Sequence, residues 1–168
     1  MTAPPELHPR RPASPELLRS VFRRHAAGVA VITARGQVPV GFTATSLASV
    51  AAEPPLISFG VGTASFSWQV IARTEHVGVH ILGEHQGDLA ARFATRGVDR
   101  FAPPTRWRGG TEGVPVLDGV LAWMVGRVVS RIPAGDHHLV IAEVVEGDST
   151  GPGRPLVHCQ GRFGGLRD

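Results

Sequence analysis

A run of small hydroxyl side chains follows a glycine in the stretch 41–59. The run contains Thr43, Thr45, Ser46 and Ser49. Hydroxyl groups and closely approaching backbone N–H groups donate hydrogen bonds without bulk, so a run of this kind is suited to holding a phosphate. Because Thr43 and Thr45 lie two residues apart, an ordinary strand with one solvent-facing polar side explains the same pattern. Both interpretations stay open at this point.

Two further motifs with polar side chains lie in segments predicted to be loops. Asp99-Arg100-Phe101 lies in the connection 96–113, and a connection of this length inside a domain is usually functional. Arg100 offers a forked, charged donor suited to a phosphate, and the chain contains no lysine that could replace it. Gly135-Asp136-His137 forms a turn between two strand patterns. The competing interpretations are a local Asp99–Arg100 ion pair and an ordinary Gly-Asp turn.

Several common chemistries find no support in the sequence. There is no G-x-S-x-G nucleophile motif, no obvious carboxylate pair, and Cys159 is the single cysteine. His76 and His80 are predicted on a strand, where they would stand about 13 Å apart, too far to share one metal ion. Gly60-Val61-Gly62 lacks the third glycine of a dinucleotide-binding fingerprint. An organic cofactor that brings its own chemistry fits these residues best, with no catalytic side chain and no metal.

Composition places the chain among globular proteins. It has 168 residues, 42% of them hydrophobic and 18% charged, which predicts one domain over residues 14–168 after a flexible tail at 1–13. The net charge is +3 and the arginines are scattered, so we expect no nucleic-acid partner. No apolar run approaches the length of a membrane span and no secretion signal is evident, so we expect no membrane association and a cytoplasmic location.

Hydrophobic periodicity predicts a mostly β or α+β fold. Ser14-Pro15-Glu16 begins a helix whose apolar stripe, Leu17, Leu18, Val21 and Phe22, should be buried, with Gly28 able to end it. Further helices are predicted at 66–73 and 86–95. Strands are predicted at 29–33, 38–50, 56–61, 77–81 (with one face buried), 120–132 and 139–145, with a short strand or hairpin in 155–163. Six or seven strands with two or three helices indicate a small antiparallel β-barrel with flanking helices.

Six short motifs along the chain match, in order, those of one protein family. They are Gly28-Val29-Ala30-Val31-Ile32-Thr33; Gly41 to Ser46 with Ser49-Val50 and Pro54-Pro55-Leu56; Ser65-Phe66-Ser67-Trp68 with Val79-His80-Ile81-Leu82; Arg92-Phe93-Ala94 with Asp99-Arg100-Phe101; Pro115-Val116-Leu117; and Gly135-Asp136-His137. One such motif is a weak signal, whereas six in register over about 140 residues are a strong one. On these residues the chain resembles the short-chain flavin reductases, which have the Greek-key-like FMN-binding split-barrel fold.

The resemblance implies that a reduced nicotinamide, NADH or NADPH, passes a hydride to FMN or FAD. It implies the following flavin contacts: Thr43, Ala44, Thr45 and Ser46 at the phosphate and ribityl end; Ser49 and Val50, with the backbone of Phe59 and Gly60, along the isoalloxazine ring; Ser65, Ser67, Trp68 and Arg100 around the phosphate; and Phe101 packed beside the cofactor. By the same resemblance His137, with Asp136, contacts the nicotinamide nucleotide. Trp68 has a competing interpretation as a core residue, and Cys159 is expected to be a buried structural residue.

The resemblance also implies a homodimer that supplies diffusible reduced flavin to a flavin-dependent monooxygenase. The chain departs from the family pattern at His25, His80 and Gly126, none of which is plainly catalytic. Two alternatives remain on the same fold: a non-catalytic flavin-binding or flavin-carrying protein, and an oxidase of a pyridoxine-type substrate. His137 distinguishes the reductase from the first alternative, because a carrier that never meets nicotinamide has no need of a nicotinamide contact at His137.

Overall fold

Antiparallel strands dominate the computed structural model, which describes residues 13–166. The strands are β1 (Ala27–Gly28), β2 (Ala30–Ala34), β3 (Val40–Ala44), β4 (Ala48–Ala51), β5 (Leu56–Gly62), β6 (His76–Ile81), β7 (Trp107–Gly109), β8 (Pro115–Leu117), β9 (Ala122–Ala134), β10 (His137–Asp148), β11 (Val157–Cys159) and β12 (Arg162–Gly164). The α-helices are α1 (Pro15–Phe22), α2 (Phe66–Ile71) and α3 (Gly87–Ala94). The predicted mostly β fold is confirmed. The predicted tail, apart from Ala13, lies outside the described residues.

Seven strands form the main sheet in the order β3-β2-β6-β9-β10-β5-β4. Strands β3 and β4 are its two edges, yet only residues 45–47 connect them. Four peptide steps span at most about 14 Å, so the sheet must curl until its edges lie close together. No hydrogen-bonded pairing joins β3 to β4 among the described residues, so the strand ladder stays open at this seam. The geometry is therefore that of a curled, split sheet.

The seam corrects the prediction of one strand over 38–50. The chain leaves its partner β2 after Ala44, crosses the seam and pairs with β5 from Ala48 onward. Alternation of small and apolar residues runs through the whole segment, so the pattern alone gave no sign of a change of partner. The interruption matters for function because it places Thr45 and Ser46 in the connection and not within a ladder.

The core fills the inside of the curled sheet. All five residues of β2 are buried, and the side chains of Phe59, Val61, Val79 and Val140 lie in the same apolar cluster. A second cluster packs α3 against the sheet through Ala90 and Phe93. The predicted helices at 66–73 and 86–95 are confirmed as α2 and α3 with shorter ends, the latter preceded by a 3₁₀ turn at Glu84–Gln86.

Two burial predictions are wrong. Strand β6 is buried on both faces in its middle, Gly78 and His80 included, because it lies between β2 and β9 near the centre of the sheet and Val114 covers Gly78. Helix α1 begins as predicted, with the Ser14 hydroxyl accepting a hydrogen bond from the backbone N–H of Leu17 at 3.2 Å. Its apolar stripe is nevertheless exposed, because no part of the described chain covers it. The helix ends at Phe22, not at Gly28.

The connection 96–113 is less irregular than its sequence suggests. It contains β7, which pairs with β8 in a small two-stranded sheet, and a 3₁₀ turn at Thr111–Gly113. Its first part packs against α3 through the contact of Phe101 with Phe93. None of the helices in residues 13–166 is long and apolar enough to cross a lipid bilayer.

Candidate functional site

A groove of about 960 Å³ opens beside the seam, where β3 ends, β5 runs into α2 and α3 leads into the long connection. We call it the hydroxyl groove. It is lined by Phe42, Thr43, Ala44, Thr45, Ser46, Gly60, Gly62, Thr63, Ala64, Ser65, Phe66, Phe93, Ala94, Arg96, Gly97, Val98, Arg100, Asp136 and His137. The fold thus brings together, from five separate parts of the chain, Thr43, Ala44, Thr45, Ser46, Gly60, Ser65, Arg100, Asp136 and His137 of the predicted contact residues.

The hydroxyl groups of the groove differ in how they are engaged. The Ser46 hydroxyl accepts a hydrogen bond from the backbone N–H of Gly60 at 2.9 Å and so ties the connection that crosses the seam to β5. The Thr43 hydroxyl donates to the carbonyl of Ala90 at 2.6 Å, which fixes α3 against β3. Thr45 is exposed, and its hydroxyl has no partner among residues 13–166. Thr45 is therefore well placed to meet a ligand, as is Ser65, whose hydroxyl also has no partner in the described chain.

Two glycines of β5 lie beside the imidazole ring of His137. A Cβ atom at Gly60 would lie 3.9 Å from Cδ2 of that ring, and one at Gly62 would lie 3.8 Å from its Nε2. His137 begins β10 directly opposite Gly62, so its place follows from the strand register. Larger side chains at either position would fill the groove floor beside the imidazole. The glycines thus keep a flat backbone surface next to a polar ring.

Asp136 orients the imidazole of His137. The distance between Nδ1 of His137 and Oδ1 of Asp136 is 2.7 Å, and the hydrogen bond and charge of His137 lower the pKa of this exposed carboxyl group. The carboxylate only accepts, so Nδ1 carries the proton and Nε2 is the free nitrogen. The turn itself is held by Thr63, whose backbone N–H and hydroxyl both donate to the carbonyl of Asp136, at 2.9 and 3.1 Å.

Arg100 closes one end of the groove. Its guanidinium group donates to the carbonyl of Gly41 at 2.6 Å and, through Nε and Nη2, to that of Thr95 at 3.2 and 2.7 Å. Partial burial lowers the pKa of the guanidinium group from a very high ordinary value, so it keeps its charge. Because guanidinium has five N–H donors, two remain for a ligand. The side chain therefore both braces the groove and offers positive charge.

Asp99 and Arg100 form no ion pair with each other in the structure described for residues 13–166. The Asp99 carboxylate instead accepts hydrogen bonds from the backbone N–H groups of Phe101 and Ala102, at 3.0 and 3.1 Å. This local turn, of the kind that aspartate commonly makes, sets the direction of the chain after Arg100. Asp99 is thus a structural residue that helps to place its neighbour.

The other predicted contact residues lie outside the hydroxyl groove. Ser67 is buried and donates to the carbonyl of Gly41 at 3.3 Å, and Phe101 packs edge-on against Phe93 with ring centres 5.3 Å apart. Trp68 packs against the core and stacks on His138 at 3.9 Å, which favours its interpretation as a core residue. Their roles toward a ligand stay predictions.

Three predicted ring contacts lie at the seam or beneath it. The side chain of Phe59 is fully buried in the core, so only its backbone could reach a ligand. Ser49 and Val50 stand exposed on the edge strand β4. Cys159, expected to be buried, is only partly so. Phe59, Ser49 and Val50 are close in sequence to groove residues but do not line the groove.

Sequence reasoning missed Thr63, Gly62 and Arg96. Thr63 adjoins the predicted start of α2, and its contact with Asp136 depends on the register of β5 with β10, which no local pattern reveals. Arg96 lines the groove and adds a second positive charge near Arg100. Its position at the start of a long connection is the one signal that could have pointed to it.

Comparison with known proteins agrees with the motifs. The family described as flavin reductase like domain matches residues 22–167. The chain belongs to this family. An NADH:FMN oxidoreductase of Rhodococcus erythropolis is 44% identical to this flavin reductase-like chain over 150 residues, covering 86% of the chain and 78% of the relative. The reductase subunit HsaB of a flavin-dependent monooxygenase of Mycobacterium tuberculosis is 37% identical over 156 residues, covering 90% and 82%.

A solved structure shows the same fold. The flavin reductase domain protein of Arthrobacter sp. FB24 superposes with a TM-score of 0.86 at 41% identity, covering 91% of this flavin reductase-like chain and 96% of its own. The family and the split-barrel fold implied by the six motifs are therefore confirmed. The match covers every element that lines the hydroxyl groove.

Proposed function

We propose that this protein is a flavin reductase that uses NADH to reduce FMN or FAD. The observation that carries the proposal is the hydroxyl groove, which gathers hydroxyl groups, two glycines of β5, two arginines and a histidine–aspartate pair in one place. Its residues lie within the region that matches the flavin reductase-like family. The Rhodococcus relative, an NADH:FMN oxidoreductase by name, supports NADH as the donor.

The groove residues fit a flavin nucleotide. Thr45 and Ser65, with the free N–H groups of Arg100, would hold its phosphate and ribityl chain by hydrogen bonds. The backbone of Gly60 and Gly62 offers a surface without side chains on which a flat ring can lie. A bound flavin supplies the group that accepts the hydride. The protein's own residues then need only bind, orient and exclude water, and no acid or base is required of them.

His137 is the residue best placed to orient the nicotinamide nucleotide. Its imidazole approaches Gly60 and Gly62, whose backbone is the surface proposed for the flavin ring, and its Nε2 is free to bind a ligand. Asp136 keeps Nδ1 protonated and the ring in position. A protein that only carried flavin would have no need for this pair, so the geometry favours the reductase over the carrier.

We further propose that the protein acts as a homodimer. Helix α1 has eight residues, and a helix this short does not persist in water unless its apolar face is packed. Leu17, Leu18, Val21 and Phe22 are each more than half exposed in the single chain. On the outer face of the sheet, Ile132 and Leu139 are opposite each other and are also exposed. A second copy of the chain would cover these surfaces.

Leu18→Asp tests the dimer. This residue lies on the exposed stripe of α1 and touches no groove residue, so the charge should weaken association without unfolding the chain. Sedimentation velocity should show the wild type as a dimer and the variant with a larger monomer fraction. A wild type that is monomeric at micromolar concentration would contradict the proposal. Gln69→Asp, an exposed change on α2, is the matched control.

The partner of the reductase is proposed to be a flavin-dependent monooxygenase that receives diffusible reduced flavin. Relatives named as reductase components of such monooxygenases support this reading. The hydroxyl groove is open to solvent along residues such as Thr45 and Arg96, which suits a flavin that leaves after reduction. A cytoplasmic location stays a prediction.

NADH oxidation with and without added flavin tests the proposed function. The purified protein should oxidise NADH only when FMN or FAD is present, and NADPH in place of NADH measures the preference for the donor. If flavin binds and neither nicotinamide is oxidised, the carrier interpretation takes its place. If no flavin binds, both interpretations fail.

A further inference from the structure

A second cavity, of about 480 Å³, adjoins the hydroxyl groove. We call it the apolar cavity. It is lined by Val38, Pro39, Val40, Gly41, Phe66, Ser67, Val98, Asp99, Arg100, Phe101, Ala102 and Trp107. Phe66, Val98 and Arg100 line both cavities, so these three residues mark their common boundary. The apolar cavity follows the first half of β3 and the hydroxyl groove its second half.

The two cavities form one path along an edge strand. Strand β3 pairs with β2 on one side only, and no strand of residues 13–166 pairs with its other side. From Val38 to Ser46 the path would extend about 26 Å if the chain were fully extended. Each cavity lies within the range of about 300–1,000 Å³ that is typical of small-molecule sites. A ligand with two connected parts could therefore occupy both.

The walls of the apolar cavity suit a flat aromatic ring. Phe66 is 61% exposed and Trp107 is 39% exposed, and Val38 and Val98 are exposed beside them. Trp107 is held in place by its edge-on contact with Phe101, with ring centres 5.5 Å apart. Large apolar side chains around a concave surface are typical of a site that a ligand covers. Nucleobases stack well on such side chains.

We propose that the apolar cavity binds the adenosine half of FAD and that this protein uses FAD in preference to FMN. The proposal rests on the proposed function, with the isoalloxazine end in the hydroxyl groove. Arg100 stands at the boundary with two unengaged N–H groups, where the diphosphate of FAD would pass from one cavity to the other. FMN ends at its single phosphate and would leave the apolar cavity without a ligand.

NADH also contains adenosine, and the geometry favours FAD over it as the source. His137 and Asp136, the proposed nicotinamide contacts, line the hydroxyl groove and not the apolar cavity. Arg100 lines both cavities, whereas Ser65, Asp136 and His137 line the hydroxyl groove only. In the proposed function Ser65 and Arg100 hold the phosphate of the flavin, so the adenosine that continues past Arg100 is that of FAD.

The substitution Trp107→Ala should affect the binding of FAD and of FMN differently. Trp107 lines the apolar cavity only, so its removal should weaken FAD binding about tenfold, the loss expected for one stacked base. FMN binding should stay within about twofold. Dissociation constants are measured by quenching of flavin fluorescence. Trp107→Phe should restore FAD binding, and Phe163→Ala, which removes an aromatic ring of similar exposure on β12, should change neither constant.

Val38→Trp gives an independent test that does not touch the Trp107–Phe101 packing. Val38 is 60% exposed and lines the apolar cavity but not the hydroxyl groove, so the larger ring should displace adenosine and weaken FAD selectively. Equal losses for FMN and FAD, or no loss for FAD, would refute the adenosine site. So would an increase in the KM for NADH with FMN as acceptor while FAD binding is unchanged. Failure of the wild type to bind either flavin would instead refute the proposed function.

Discussion

His80 makes the stability of the protein depend on pH. The residue is fully buried in β6, its Nδ1 lies 3.0 Å from the carbonyl oxygen of Val31, and its Nε2 has no partner among the described residues. Burial is the main reason that the pKa of His80 falls from 6.5 to about 4; a nearby Arg108 charge adds to the effect, and the hydrogen bond to Val31 opposes it. The neutral ring is therefore the form that the folded protein holds.

The sign of the effect follows from proton linkage. The unfolded chain binds a proton at His80 near pH 6.5, whereas the folded chain binds it only near pH 4, so the free energy of unfolding falls as the pH drops through this window. The neutral His80 ring makes its full contribution to the free energy of unfolding above about pH 6.5. The loss of this contribution levels off below about pH 4. At 1.36 kcal/mol for each tenfold change in proton affinity, the loss amounts to about 3 kcal/mol.

His80→Asn removes the titrating group and keeps a donor for the Val31 carbonyl. Urea unfolding, followed by tryptophan fluorescence at fixed protein concentration, should show the wild type losing about 3 kcal/mol more than the variant between about pH 7 and about pH 4. His76→Asn, on the same strand but only half-buried, should keep the pH dependence of the wild type. If the free energies of unfolding of the wild type and of His80→Asn differed by the same amount at every pH in this range, the reasoning would be refuted.

Two further changes test the site and its scaffold. His137→Ala should raise the KM for NADH about tenfold while the flavin dissociation constant stays within about twofold, and equal losses would make His137 structural. Gly41→Ala should lower the free energy of unfolding by about 1–3 kcal/mol, because its Cβ would stand 2.8 Å from Cε1 of Phe93 and 2.9 Å from the Ile32 carbonyl oxygen. Gly28→Ala, with no atom within 4 Å of the added Cβ, is the control; a similar loss there would contradict the steric explanation.

Local pattern predicted most of the elements but not how the sheet closes. Alternating apolar residues located β5 and β9, and Ser14 with Pro15 located the start of α1, since these signals act within a few residues. The chain pairs with β2 along β3 and then with β5 along β4, and this change of partner is a long-range property of the curled sheet. It could not be read from residues 38–50, where the hydrophobic pattern continues unbroken.

The candidate site was predictable in its residue types and less so in their exact contacts. Thr45, Arg100 and His137 were named from sequence and line one groove. The assignment of Ser67 and Phe101 overlooked their burial, because Ser67 packs on β3 through its bond to Gly41 and Phe101 packs on Phe93 of α3. Thr63 escaped notice because its contact with the Asp136 turn exists only once β5 and β10 are in register.

The surface that covers the apolar face of α1 could not be predicted from the sequence of one chain. The sequence predicts that its apolar stripe faces the core, yet the described chain leaves it exposed. Hydrophobic periodicity shows that a helix face should be covered and does not show by what. A surface of this kind is equally compatible with the interior of one chain and with an interface between two.

A crystal structure of the protein grown with excess FAD tests the central claim most directly. The flavin ring should lie along the backbone of Gly60 and Gly62, with Thr45 and Arg100 at its phosphates and His137 beside the exposed face of the ring. Flavin bound elsewhere, with these side chains turned away from it or sealed from solvent, would contradict the claim that the hydroxyl groove is the site of flavin reduction.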